Sequence, residues 1–77
     1  MSDFEVGERV AEVPYYNWKM HVKGVPLAEI PDVRYGKILQ KRFNVIGGKV
    51  YPRYIVLFGV RREDCDGVHL VSVENVA

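Results

Sequence analysis

Between Lys19 and Arg62 there are ten Lys/Arg against two acids, and Tyr15, Tyr16, Trp18, Tyr35, Phe43, Tyr51, Tyr54 and Phe58 lie in or beside the same stretch. Cations interleaved with aromatics attract phosphate and stack on bases, so polyanion binding is the chemistry this segment is best equipped for. The flanks carry the opposite sign: residues 1–18 sum to −3, 19–62 to +8 and 63–77 to −4. The same layout also fits acidic ends that pair with a basic middle, within one fold or across an oligomer. With a net charge of only +1, any polyanion role rests on this local asymmetry and not on the pI.

Catalytic chemistry finds less material. A nucleophilic cysteine needs nearby positive charge to stabilise its thiolate, and Cys65 lies between Asp64 and Asp66, which oppose it. Asp64, Cys65, Asp66 and His69 have neither the alternating ligands and closing Glu of a calcium loop nor the repeated Cys/His pairs of a zinc site. Asp66-Gly67 reads as a plain turn, and Gly47-Gly48 lacks the Gly-Lys-Ser/Thr ending of a phosphate loop. No catalytic residue, metal site or cofactor is therefore expected. His21 reads as a solvated loop histidine and His69 as a half-buried packing or interface residue.

A chain of 77 residues makes one domain that buries roughly 60–65% of its unfolded surface. A single cysteine excludes an internal disulfide framework and fits a reducing cytoplasm, and no basic-then-apolar leader or membrane-length apolar run is present. Apolar residues repeat with a period near two. Arg9 to Val13 stops at Pro14, Tyr35 to Phe43 is a mixed alternating run, and Tyr54 to Val60 is continuously apolar, so all three read as strands. Ile46-Gly47-Gly48-Lys49 is a hairpin signal, because paired glycines reach the positive φ of primed turns. Val68 to Val71 reads as a short last strand, and Ser72 to Val76 as a single helical turn capped by Ser72. Arg61-Arg62-Glu63-Asp64 looks like a self-paired turn. Residues 14–33, with three prolines and Gly24, read as a long loop whose one helix-friendly piece, Leu27 to Ile30, is too short to stand alone.

This order of elements resembles an SH3-like small barrel. The motifs that carry the resemblance are Phe4-Glu5-Val6-Gly7-Glu8-Arg9-Val10, which matches an aromatic followed by Val-Gly-[Asp/Glu]-Arg-Val, then Gly36-Lys37-Ile38, and the closing Val71-Ser72-Val73-Glu74-Asn75-Val76. It implies an all-β, five-stranded SH3-like barrel over 1–77, with a long first loop and a short C-terminal helical turn. In such a barrel the long loop and the 44–50 hairpin turn flank the surface used for partners. The type II dihydrofolate reductases are similar chains that assemble four subunits around a Val-Gln-Ile-Tyr strand. Here the comparable place reads Val68-His69-Leu70-Val71; without the glutamine and tyrosine that activity does not carry over, although assembly through the last strands does.

The candidate site is the aromatic run Tyr15, Tyr16, Trp18, with Lys19 and Lys23 beside it and Lys37, Lys41, Arg42 and Arg53 on the following strands. In an extended loop Lys19, His21 and Lys23 share a side. In a regular strand Lys37 and Lys41 share one face and Arg42 takes the other, which divides the basic patch. Two binding modes remain open. In one, Lys/Arg contact phosphates while Trp18 or Tyr16 stacks on a base, so reversing Lys41 and Arg42 weakens binding across all sequences. In the other, a protein partner or a second copy docks on the 14–33 aromatic loop, with edge strands available for main-chain pairing.

Overall fold

The two longest strands are runs rich in β-branched and aromatic residues, and each is ended by a glycine, Gly47 or Gly59. The structure, a computed structural model, describes residues 4–73. Its strands are β1 (Arg9–Glu12), β2 (Arg34–Ile46), β3 (Lys49–Phe58), β4 (Arg61–Asp66) and β5 (Leu70–Ser72). All pairings are antiparallel, in the order β4-β3-β2-β1-β5. The chain is thus all-β in its sheet, and β4 and β5 are the edges of an open sheet that does not close by hydrogen bonding. The sheet is nevertheless curled, since Cys65 of one edge strand and Leu70 of the other share one core cluster with Phe4, Val10, Ile38, Tyr54, Val56 and Phe58.

Two hairpins fix the register of the middle strands. Gly47 and Gly48 take φ of 57° and 81° between the closing pair Ile46 and Lys49, as a primed turn demands. The second turn is Gly59-Val60, with Gly59 at φ 63° between the paired Phe58 and Arg61. It ends β3 at Phe58, short of the expected Val60, and puts Arg61 to Asp64 in strand β4 where the sequence reading placed a turn. Asp66 then accepts the Val68 N–H at 3.1 Å and opens a 3-10 turn over Gly67–His69. The helical turn therefore precedes the last strand. Ser72 lies in β5 and caps no helix among the described residues, and the rest of the expected C-terminal turn, 74–76, lies outside them.

The expected irregular loop of 14–33 is also corrected. It holds 3-10 turns at Tyr15–Asn17 and Leu27–Glu29 and a short helix, α1 (Trp18–Val22). Pro14 and Pro26, at φ −58° with ψ 146° and 141°, are the N-caps of the two 3-10 turns, and their carbonyls accept the first bonds, from the Asn17 and Glu29 N–H groups at 2.9 and 2.8 Å. Gly24, at φ 92°, ends α1: its N–H donates to the His21 carbonyl, and the Val25 N–H to that of Met20, both at 3.0 Å. These are the two bonds of a Schellman C-cap.

At one end of the sheet Arg34 ties three strands together. Its Nε donates to Glu12 Oε1 at 2.9 Å, its Nη1 and Nη2 donate to Glu63 at 2.7 and 2.9 Å, and the guanidinium lies 4.1 Å over the Phe58 ring. The bond to Arg34 holds the Glu63 carboxyl below its usual range. Cys65 sits behind this cluster in the core. Burial first, then Glu12 and Glu63, push its thiol up to about 12, so its inertness comes from burial more than from the adjacent aspartates. The sign is that of an acid disfavoured by folding. The neutral thiol's contribution to stability is complete below the ordinary value of 9.0 and is lost as the pH climbs toward 12. The urea midpoint should accordingly fall between pH 9 and 11, less so in Cys65→Ala, and a thiol reagent at about pH 8 should label the native chain at least ~100-fold more slowly than the unfolded one.

Candidate functional site

The face that each side chain takes follows from the strand register. On β3, Tyr54, Val56 and Phe58 are buried, so Arg53, Ile55 and Leu57 point to the other side of the sheet. Opposite Leu57 stand Lys37 on β2 and Arg62 on β4; opposite Ile55, Gln40 and Asp64; opposite Arg53, Arg42 and Asp66. Directly opposed residues share a face. Lys37 is also opposite Arg9 on β1, and the same side continues outward through the pairs Asn44 with Tyr51 and Ile46 with Lys49. The outer face therefore gathers Arg9, Lys37, Arg42, Lys49, Arg53 and Arg62 against Asp64 and Asp66, with Tyr35 and Tyr51 exposed among them.

A β-bulge produces this arrangement. Ile38 pairs with Val56 and Gln40 with Ile55, which leaves Leu39 as an extra residue. One inserted residue reverses the alternation of everything after it. Lys37 and Arg42, expected on opposite faces, come to the same one, and Lys41 is turned to the core side, opposite Tyr54, with its Nζ 3.8 Å from Glu5 Oε2. The basic patch is thus not divided between Lys37 and Arg42, and Lys41 is the residue that leaves it.

The electrostatics of the face are uneven. Arg53 is held by acids, with Nε 3.0 Å from Asp64 Oδ1 and Nη1 3.9 Å from Asp66 Oδ2. Arg9, Lys37, Arg42, Lys49 and Arg62 are exposed and form no ion pair among the described residues. Two pairs of like charge stand directly opposite each other, Arg9 with Lys37 and Arg42 with Arg53. Such pairs oppose sheet formation.

The aromatic loop lies elsewhere and is split. Tyr15 and Tyr16 are 76% and 62% exposed and pack edge to face at 5.8 Å between ring centroids. They line a cleft of about 560 Å³ with Glu12, Asp32, Arg34 and His69. The Tyr16 hydroxyl donates to Asp32 Oδ2 at 3.0 Å, and that carboxylate holds the phenol above its ordinary value. Asp32 itself sits at φ 64°, a left-handed conformation that Asp tolerates better than most residues. Asn17 completes the tie by donating to the Pro31 carbonyl at 2.7 Å.

Trp18 turns the other way. Its ring lies 4.9 Å from that of His21 and 5.8 Å, edge-on, from that of His69, so both histidines are half-buried packing residues and His21 is not a solvated one. Trp18 walls a groove of about 550 Å³ with Pro52, Val68, Leu70 and Val71. Because α1 is a helix, Lys19 and Lys23 are neighbours four residues apart and His21 is directed away from them, which replaces the expected extended arrangement.

Of the expected residues, then, Lys37, Arg42 and Arg53 come together; Tyr15 and Tyr16 form a second locus and Trp18 a third. Lys19 and Lys23 are exposed on the loop. Arg9, Lys49, Arg62, Tyr35 and Tyr51 belong to the face although the expected site does not include them. The signal for them is cross-strand register, which two hairpin turns supply and spacing along the chain does not. Among the described residues no group of three or more His, Cys, Asp or Glu is placed to hold a metal ion, and no helix is long and apolar enough to cross a membrane. No protein-family model matches the chain, and neither the curated proteins nor the solved structures contain a significant match to it.

Proposed function

We propose that this chain is a non-enzymatic, SH3-like small barrel that associates with nucleic acid through the outer face of its sheet. The observation that carries the reading is the row of exposed cations outside any ion pair among the described residues, Arg9, Lys37, Arg42, Lys49 and Arg62, with Arg9 directly opposite Lys37. Cross-strand repulsion costs folding stability, and a polyanion laid along the face relieves it while its counterions are released. The exposed rings of Tyr35 and Tyr51 lie among the same cations, which favours single strands, whose bases are free to stack. Strand order, the long first loop and the curled core support the barrel reading. Function still rests on the face, because folds of this size host unrelated activities.

The test is a salt titration of binding to labelled single- and double-stranded oligonucleotides. With about five phosphate contacts, affinity should fall about 100-fold for single strands and about 500-fold for duplexes between about 50 and 200 mM salt, and single strands should bind more tightly. No binding at the lower salt would reject the proposal.

A second reading has its own observation, the exposure of Tyr15 and Tyr16 away from the basic face. Two adjacent tyrosines on a loop pinned by Asp32 and Asn17 form a rigid anchor for a protein partner. Replacing both by alanine would abolish capture of such a partner and leave nucleic-acid affinity unchanged.

A further inference from the structure

The β2-β3 ribbon has two faces beyond the core, and they differ in chemistry. The outer one carries Arg42, Arg53, Asn44, Tyr51, Ile46 and Lys49. On the other, the row that begins with buried Tyr54 continues as Phe43 opposite Pro52 and Val45 opposite Val50, all four apolar. Phe43, Val45 and Val50 are exposed there. Pro52 is shared with the adjoining groove walled by Trp18, Val68, Leu70 and Val71, so that ribbon face and groove form one apolar surface.

We infer that this surface is a homodimer interface, closed by the same surface of a second copy of the chain. The choice of occupant follows from charge. Lys41 is the cation at the head of the row, and it lies 3.8 Å from Glu5; the face therefore offers neither a polyanion nor a charged peptide any excess charge to match, whereas an identical apolar row is complementary to it. A two-fold axis through the ribbon pairs the rows and turns both outer faces away from each other, which keeps their cations apart.

Exposed apolar patches mark interaction sites. A two-stranded ribbon standing alone is also marginal in water, and a copy packed on residues 43–52 supplies the layer that the protein itself does not.

This inference is independent of nucleic-acid binding, and adjacent residues test it. Val45 is 69% exposed on the apolar face and Ile46 is 64% exposed on the outer one, so lysine at either position removes a similar side chain and folding is disturbed equally. Light-scattering mass should read twice the 8.9 kDa chain mass for the wild type over about 5 to 200 μM. Val45→Lys should raise the dimer dissociation constant at least about 100-fold by burying an unpaired charge, and Ile46→Lys should leave it unchanged. A wild-type mass of one chain at the highest concentration overturns the proposal without recourse to any variant. Equal loss of mass in both variants, or none in Val45→Lys, overturns it as well.

Discussion

Gly36→Ala should lower stability by about 3 kcal/mol and the melting temperature by about 12–24 °C, a large effect for one methyl group. A Cβ at position 36 would lie 2.6 Å from the Leu57 carbonyl oxygen, 2.7 Å from Val56 Cγ1 and 2.9 Å from Phe58 Cδ1. Flexible side-chain ends can yield to such contacts, but the Leu57 carbonyl cannot. It belongs to the β2-β3 ladder, in which Leu57 is the partner of Lys37. Gly36 is also where β2 pairs with Val10 of β1, at the junction where β2 passes from one neighbour to the other. Moving the strand outward to admit a methyl would separate Val10 from Val56 and Phe58 in the one core this small domain has. A domain of this size is stable by only about 4–11 kcal/mol, so the loss should be plain in both urea and thermal unfolding. A melting temperature within about 3 °C of wild type would mean that the strands yield at this crossing and that the close approach does not hold the sheet's curl.

The same glycine illustrates what could be read from the chain. The alternating run from Tyr35 to Phe43 marks the second strand, in which Gly36-Lys37-Ile38 also carries the barrel resemblance; Gly47-Gly48 marks the hairpin through its need for positive φ, and Asp66-Gly67 marks the turn before β5, where Asp66 accepts the Val68 N–H. These signals are local. Other local signals were present and misassigned. Gly24, with three prolines, reads as part of a long loop without regular structure, yet as the residue after Lys23 it is a helix terminator with both Schellman bonds made. Gly59 occupies the first central position of a two-residue hairpin turn, so β4 should have begun at Arg61. The five residues of α1 carry no propensity that would reveal them, because so short a helix depends on its packing, here Trp18 against His21 and His69. The bulge at Leu39 is a different matter. No glycine or proline flags it, and it exists because the register of β2 on β3 shifts by one residue between Ile38 and Gln40. The one feature that decides which cations share a face was thus absent from the chain's own periodicity.

That feature makes the charge-reversal experiment sharper than sequence alone allowed. Lys41 and Arg42 are adjacent, and a basic patch drawn from the sequence treats them alike. With Leu39 bulged out, Arg42 stands on the outer face with Lys37, while Lys41 is opposite Tyr54 and near Glu5. The Lys37→Glu, Arg42→Glu double variant should therefore weaken single-stranded nucleic-acid binding by about 100-fold or more at about 100 mM salt, and reduce the slope of log affinity against log salt by about 1.4. Lys41→Glu, which makes the same change of charge, should alter affinity less than about 3-fold, because only long-range screened repulsion acts across the sheet. Both residues of the double variant are exposed, and it removes the like-charge opposition at Arg9 with Lys37 and at Arg42 with Arg53. Its melting temperature should hold steady or rise, which separates lost binding from lost folding. Equal damage from Lys41→Glu and Arg42→Glu would show that net charge alone drives association and that the bulge has no part in building the site. An unchanged affinity in the double variant would remove the outer face as the contact surface and return the search to the tyrosines of the loop.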